Sequence, residues 1–73
     1  MKISEVIKIG SNLLKNKKIP SFIIDSELLL SKTLKKSREE ILINLDEKIS
    51  DKKIVQFKEF LARRSKHEPI VHV

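Results

Sequence analysis

The 73-residue chain contains no cysteine, and this absence excludes two kinds of structure at once. Neither a disulfide nor a thiolate metal site can form without one. The two histidines, His67 and His72, are separated by a proline, and no third metal ligand is apparent beside them, so we predict no metal site. Because a lack of cysteine fits a reducing compartment, we expect the chain to be cytoplasmic.

Glycine and long apolar runs are also scarce. The only glycine, Gly10, lies in the middle of a helical pattern, so the chain has no glycine-rich phosphate loop, and we interpret Gly10 as a point of close packing. No apolar run approaches the roughly 20 residues that cross a bilayer. Met1-Lys2 leads into an amphipathic pattern and not into the apolar core of a signal peptide. We therefore expect no membrane association.

Acidic residues are outnumbered, with sixteen lysines and arginines against ten acids and a net charge of +6. Such a charge suits nucleic acid or an acidic partner. The lysines are scattered, however, which favours a solvated coat over a dedicated phosphate-binding face. Tryptophan and tyrosine are absent, and the three phenylalanines are placed for the core or its rim, so bases would have no stacking platform. The composition disfavours nucleic acid.

Hydrophobic periodicity and capping signals predict helices throughout. The first helix has one apolar face, formed by Ile3, Val6, Ile7, Gly10, Leu13 and Leu14. Ser21 is the predicted N-cap of a second helix, Phe22 to Leu34, which is apolar almost all round and so belongs in the middle of a bundle.

Two further helices follow. The capping box Ser37-Arg38-Glu39-Glu40 opens a short one that carries Ile41, Leu42 and Leu45. Ser50-Asp51 caps the last, whose inner stripe is Ile54, Phe57 and Leu61, with Phe60 at its edge. The pattern predicts an all-α fold, a small bundle of four to five helices.

No residue in this pattern is a good catalytic candidate. Asp46 and Glu47 fall on a predicted turn, where neighbouring carboxylates are usually solvated. Ser4, Ser37 and Ser50 are better explained as helix caps than as nucleophiles. We predict no catalytic, cofactor-binding or metal-binding residue in the chain.

The helical pattern stops near the end of the sequence. Glu68-Pro69 should terminate the last helix, and Ile70-Val71-His72-Val73 reads as the start of an extended segment that has nothing to pair with. We therefore expect residues 1–67 to form the bundle, residues 68–73 to begin a linker, and the chain to be the front end of something longer.

Three motifs resemble the N-terminal domain of the HemK/PrmC family, the glutamine methyltransferases that modify peptide chain release factors. Asp25-Ser26-Glu27-Leu28-Leu29-Leu30 is similar to the family's Asp-Ala-Glu-Leu-Leu-Leu stretch, with Ser26 in place of alanine. Leu61-Ala62-Arg63-Arg64 is similar to its Leu-x-Arg-Arg ending. Glu68-Pro69-Ile70-Val71-His72-Val73 is similar to its Glu-Pro-Ile-x-Tyr-Ile entry into a linker, although Lys66-His67 replaces a glycine of the family.

The resemblance implies that catalysis and substrate binding belong to different domains. A Rossmann-like domain after the linker would bind S-adenosylmethionine and hold the target glutamine with an Asn-Pro-Pro-Tyr motif, none of which is in this chain. The bundle would bind the release factor and adjoin its own catalytic domain, without a cofactor of its own. The alternative is a free-standing basic bundle that binds RNA or DNA.

Two groups of residues are candidates for specific roles. Arg63, Lys66 and His67 lie at the end of the last helix, and we predict that they contact a partner; helix C-terminal charge compensation is the alternative. Arg64 flanks the buried stripe and needs an acceptor, for which Asp25 in the apolar second helix is best placed. We predict an Asp25–Arg64 ion pair, with a bidentate geometry open; the alternative is that both side chains reach solvent.

The chain lacks the strand–turn–helix unit that binds nucleotides, which gives a first prediction. The 73-residue chain alone should neither bind S-adenosylmethionine nor methylate a protein. Isothermal titration calorimetry should detect no binding, and stoichiometric binding with low-micromolar affinity would contradict the prediction.

Overall fold

A computed structural model describes residues 1–66 of the chain. Four α-helices form this part, α1 (Ile3–Asn16), α2 (Phe22–Leu34), α3 (Arg38–Ile43) and α4 (Asp51–Ser65). Within the described range there is no strand, and the nearest approach to one is an isolated antiparallel bridge between Lys2 and Lys48. The predicted all-α bundle is confirmed, with four helices. None of the described helices is long and apolar enough to span a membrane.

The second helix is central, because α2 packs against α1, α3 and α4. Its direction is opposite to that of α4: Asp25, near its start, bonds Arg64 near the end of α4, and the Thr33 carbonyl near its end accepts from Lys53 in the first turns of α4. The core lies between the helices and consists of Ile3, Val6, Leu14, Ile19, Leu29, Leu30, Ile41, Ile49, Ile54, Phe57 and Leu61.

Two helices end at a lysine in the left-handed conformation. Lys18 has φ 62°, and the amide of Ile19 beyond it donates to the Leu14 carbonyl over 3.1 Å. Lys35 has φ 55°, and the amide of Lys36 donates in the same way to Ser31 over 3.2 Å. These are Schellman-type ends, which usually use glycine. The only glycine of the chain is Gly10, in the middle of α1, so no glycine marks these two helix ends in the sequence.

The predicted caps at α3 and α4 are confirmed. Ser37 Oγ accepts from the Glu40 amide at 3.2 Å, and a carboxylate oxygen of Glu40 accepts from the Ser37 amide at 3.2 Å. Ser50 Oγ accepts from the Lys53 amide at 3.4 Å. These short-range signals needed no tertiary information.

Two local predictions were wrong. Ser4 is not a cap but lies inside α1, where the amides of Ile3 and Ser4 donate to the carbonyls of Glu47 and Leu45 in the loop before α4. Leu45 is not part of α3, which ends at Ile43, and the Asn44 side chain caps a last-turn carbonyl by donating to Glu40 over 2.7 Å. In both places a neighbouring group satisfies the helix end.

Gly10 lies at a tight contact of α1 with both α2 and α4. A Cβ at this position would lie 2.5 Å from Ser26 Oγ and 2.8 Å from Cζ of the buried Phe57 ring. Neither neighbour can move cheaply, because Ser26 is hydrogen-bonded and Phe57 is enclosed by the core. The interpretation of Gly10 as a close-packing residue is confirmed.

Adjacent positions in α1 should respond to alanine in opposite directions. Gly10→Ala gains up to about 1 kcal/mol of helix propensity, but overpacking costs about 1–3 kcal/mol, so we expect a lower free energy of unfolding. Ser11 Oγ is buried without a hydrogen-bond partner among residues 1–66, so Ser11→Ala should raise that free energy by about 1 kcal/mol.

Urea denaturation of both variants checks the pair, each serving as the other's control. A Gly10→Ala variant at least as stable as the parent would show that α1 can move away from α2 and α4 without loss.

Candidate functional site

Three consecutive polar residues of α2, Asp25, Ser26 and Glu27, are buried, with exposed fractions of 5%, 0% and 9%. Buried polar groups need partners, and each of these finds one on a different helix. Ser26 Oγ donates to the Ile7 carbonyl of α1 over 2.9 Å. Glu27 accepts from Nε of Arg38, at the start of α3, over 2.7 Å. Asp25 bonds α4.

The structure brings Asp25 and Arg64 together. Nε and Nη2 of Arg64 both lie 2.9 Å from the same oxygen, Oδ2 of Asp25. These two contacts therefore converge on one oxygen and do not form the parallel fork that a bidentate geometry requires. The side chains are 18% exposed for Arg64 and 7% for Asp25, so the pair is largely withdrawn from water.

Ser21 contributes to the same cluster and corrects another prediction. It precedes α2 as expected, but its hydroxyl makes no capping bond to the helix. It donates instead to Asp25 Oδ2 over 2.9 Å. The Ser21 hydroxyl therefore acts as a donor to a carboxylate, and not as the acceptor for a backbone amide that an N-cap would be.

Apolar residues of α2 are exposed where the sequence predicted burial. Ile23 is 53% exposed, Ile24 is 48% exposed and Leu28 is 38% exposed. Since Asp25, Ser26 and Glu27 face the neighbouring helices, the turn geometry directs Ile24 and Leu28 to the opposite side. The prediction that α2 lies in the middle of the bundle holds for its position but not for these three side chains.

A surface pocket of about 370 Å³ lies at the start of α2, lined by Pro20, Ser21, Phe22, Ile23 and Ile24. The pocket and the two exposed isoleucines form one apolar surface. Sequence reasoning missed it, although the apolar run directly after Pro20 was a signal: residues in the first turn of a helix extend past the neighbours that cover later turns.

The ends of α1 and α4 lie at the same end of the bundle as this pocket. The Lys15 ammonium lies 5.7 Å from the centroid of the Phe22 ring, which places the end of α1 beside the start of α2. The Asp25–Arg64 pair places the end of α4 there as well. We call this end of the bundle the cationic end; it comprises residues 20–24 with Lys15, Lys17, Lys18, Arg63 and Lys66.

The predicted partner-contact residues lie at this cationic end as far as they are described. Arg63 is exposed in the last turn of α4, and Lys66 is exposed directly after it. His67 and residues 68–73 lie outside the described residues. Within residues 1–66, no three His, Asp or Glu side chains are grouped in a way that could hold a metal ion.

Comparison with known proteins defines the chain's family. It matches the PrmC N-terminal domain over residues 5–73, and it belongs to that family. A bifunctional methyltransferase of Rickettsia conorii is 38% identical over 71 residues, and one of Rickettsia felis is 37% identical over the same length. These alignments cover 97% of this chain but 14% of each relative.

The chain is therefore a methyltransferase-associated domain that spans about 14% of the length of the curated relatives it matches. The predicted resemblance to the PrmC N-terminal domain is confirmed. No solved structure gives a significant match to the chain.

Removing either member of the Asp25–Arg64 pair should strongly destabilise the domain. Losing one partner of a buried ion pair costs about 3–5 kcal/mol because the other charge stays buried. We expect this cost for Asp25→Asn and for Arg64→Met in chemical denaturation. The double variant should lose less than the sum of the two, because it leaves no unpaired charge.

The exposed pair Lys36–Glu47 is the matched control, with side chains 37% and 48% exposed. Glu47→Gln should change stability by about 0–1 kcal/mol. If Asp25→Asn and Arg64→Met also stayed within a few tenths of a kcal/mol of the parent, the buried pair would have no structural role.

Proposed function

We propose that this chain is the substrate-docking domain of an S-adenosylmethionine-dependent methyltransferase that modifies a glutamine of peptide chain release factors. The proposal rests on membership of the PrmC N-terminal domain family and on one structural observation. That observation is the apolar surface of Ile23 and Ile24, exposed among the lysines and arginines of the cationic end. Exposed apolar surface with a polar rim is typical of protein interaction sites.

In this proposal the domain contributes binding, and the chemistry takes place elsewhere. A catalytic domain beyond residues 68–73 would hold the cofactor and the glutamine. The bundle would hold the release factor near that domain, so that the glutamine reaches the active site at a high effective concentration. The chain itself would be non-catalytic and would need no cofactor.

The second candidate, a free-standing RNA- or DNA-binding module, has less support. Phe57 is buried, and Phe22 and Phe60 are partly buried against the core. Stacking of unpaired bases needs exposed aromatic faces. The lysines alone would provide only a salt-sensitive, sequence-independent attraction.

Charge reversal at Arg63 tests the docking proposal. In the full-length methyltransferase that carries this domain, Arg63→Glu should lower kcat/KM for release-factor methylation by about threefold to tenfold, mainly through KM. The reason is that a cation at the contact would become an anion facing the same partner. Steady-state kinetics with intact release factor measures the effect.

Lys52→Glu is the matched control, because Lys52 is an exposed cation at the opposite end of α4. It should leave kcat/KM unchanged, and both variants should remain folded, with changes in stability of about 1 kcal/mol or less. Identical kinetics for Arg63→Glu, Lys52→Glu and the parent would reject a docking role for Arg63.

A further inference from the structure

We propose that the pocket lined by residues 20–24 receives an apolar side chain from an acidic segment of the protein substrate. This inference rests on the proposed docking function and specifies the chemistry that the docking site recognises. The partner segment would carry one large apolar residue flanked by carboxylates. The apolar residue would enter the pocket, and the carboxylates would face the surrounding cations.

The walls of the pocket are mainly apolar. Its volume of about 370 Å³ falls at the lower end of ordinary ligand pockets. Phe22, Ile23 and Ile24 provide apolar walls, while the Ser21 hydroxyl is directed to Asp25 and does not make the pocket polar. An apolar side chain in the pocket would remove Ile23 and Ile24 from water.

Acidic residues are absent from the segment that contains the pocket. Between Glu5 and Asp25 the sequence has no acidic residue but contains Lys8, Lys15, Lys17 and Lys18. Asp25 itself is occupied by Arg64 and Ser21. The segment before and through the pocket, residues 6–24, therefore carries lysines and no acid, with Lys15 placed against Phe22, so a complementary surface on a partner is acidic.

The same distribution argues against a second copy of the chain as the occupant. Two cationic ends facing each other would bring like charges together, on chains that each carry a net charge of +6. Binding of an acidic protein segment reduces this repulsion, whereas dimerisation increases it.

The chain offers a second exposed apolar surface as an internal control. Ile43, at the end of α3, is 79% exposed, and Leu42 beside it is 40% exposed. Acidic residues surround this surface in the sequence, namely Glu39, Glu40, Asp46 and Glu47. It exposes large apolar side chains but lacks the one-sided positive charge, so an acidic segment should not select it.

The test uses the full-length methyltransferase that carries this domain, with intact release factor as substrate. Initial rates at several release-factor concentrations give kcat and KM for Ile23→Ser, Ile24→Ser and Lys17→Glu at low and at physiological ionic strength. Ile43→Ser and Lys48→Glu are the matched controls, one apolar and one charged, in a different part of the bundle.

We expect Ile23→Ser to raise KM about tenfold at both ionic strengths, because burial of an apolar side chain is not screened by salt. Lys17→Glu should raise KM about threefold to tenfold at low ionic strength and less at physiological ionic strength. The controls should match the parent enzyme, and kcat should be unchanged in all variants.

Two results would overturn the inference. If Ile23→Ser and Ile24→Ser both leave KM unchanged, the pocket does not receive the substrate. If they lower kcat or the melting temperature while KM stays constant, the pocket is covered by another part of the enzyme's own chain.

Removal of residues 1–66 from the full-length enzyme separates this inference from the proposed function. If the truncation raises KM and the isoleucine variants do not, docking stands and the pocket assignment fails. If the truncated enzyme, still able to bind S-adenosylmethionine, keeps the parent KM, the docking function itself fails.

Discussion

Asp25, Ser26 and Glu27 determine how the bundle is assembled, because they fasten α2 to α4, α1 and α3 in turn. Successive side chains on a helix are rotated by about 100°, so three in a row point in three directions. All three can be buried only if α2 is surrounded on three sides. Any rotation of α2 about its axis would separate Asp25 or Glu27 from its arginine and leave a buried charge unpaired.

This constraint explains why α2 exposes isoleucine while it buries carboxylates. Apolar residues occur on nearly every side of α2, so hydrophobic burial alone hardly distinguishes one rotation of the helix from another. The paired polar groups select one rotation, in which Leu29 and Leu30 are buried and Ile24 and Leu28 are exposed. Here the buried Asp25–Arg64 pair and the partly exposed Glu27–Arg38 pair contribute orientation.

Sequence reasoning succeeded where the deciding contact was local or strictly periodic. The capping box at Ser37 and the α4 stripe of Ile54, Phe57 and Leu61 depend on residues within a turn or two, and both are present. At Ser21 it placed the N-cap residue correctly but not its hydrogen bond, because the hydroxyl donates to a carboxylate that also bonds an arginine 39 residues further along the chain. It also failed at Ile23 and Ile24, because periodicity does not show how far a neighbouring helix extends.

Gly10 was identified as a close-packing residue from the sequence, and the structure identifies the side chains that it packs against. The sequence indicated close packing, and the structure names the neighbours as Ser26 and Phe57. Where the HemK/PrmC pattern has alanine, this chain has Ser26, and the hydroxyl adds a hydrogen bond to Ile7. An alanine there would remove the nearest atom, but Phe57 Cζ would remain 2.8 Å from a Cβ at position 10, so glycine would still be required.

The ion pair that orients α2 also assembles the cationic end. By bonding Arg64 to Asp25, it holds the last turn of α4, with Arg63 and Lys66, beside the first turn of α2, with Ile23 and Ile24. Leaving two isoleucines half exposed forgoes hydrophobic stabilisation that other packings would gain. The bundle tolerates this because its core residues and the hydrogen bonds of Asp25, Ser26 and Glu27 involve other side chains of α2. Ile24 lies on the side of α2 away from these polar contacts, whereas Ile23 is exposed because it lies in the first turn. A change at either exposed side chain should therefore leave the domain folded.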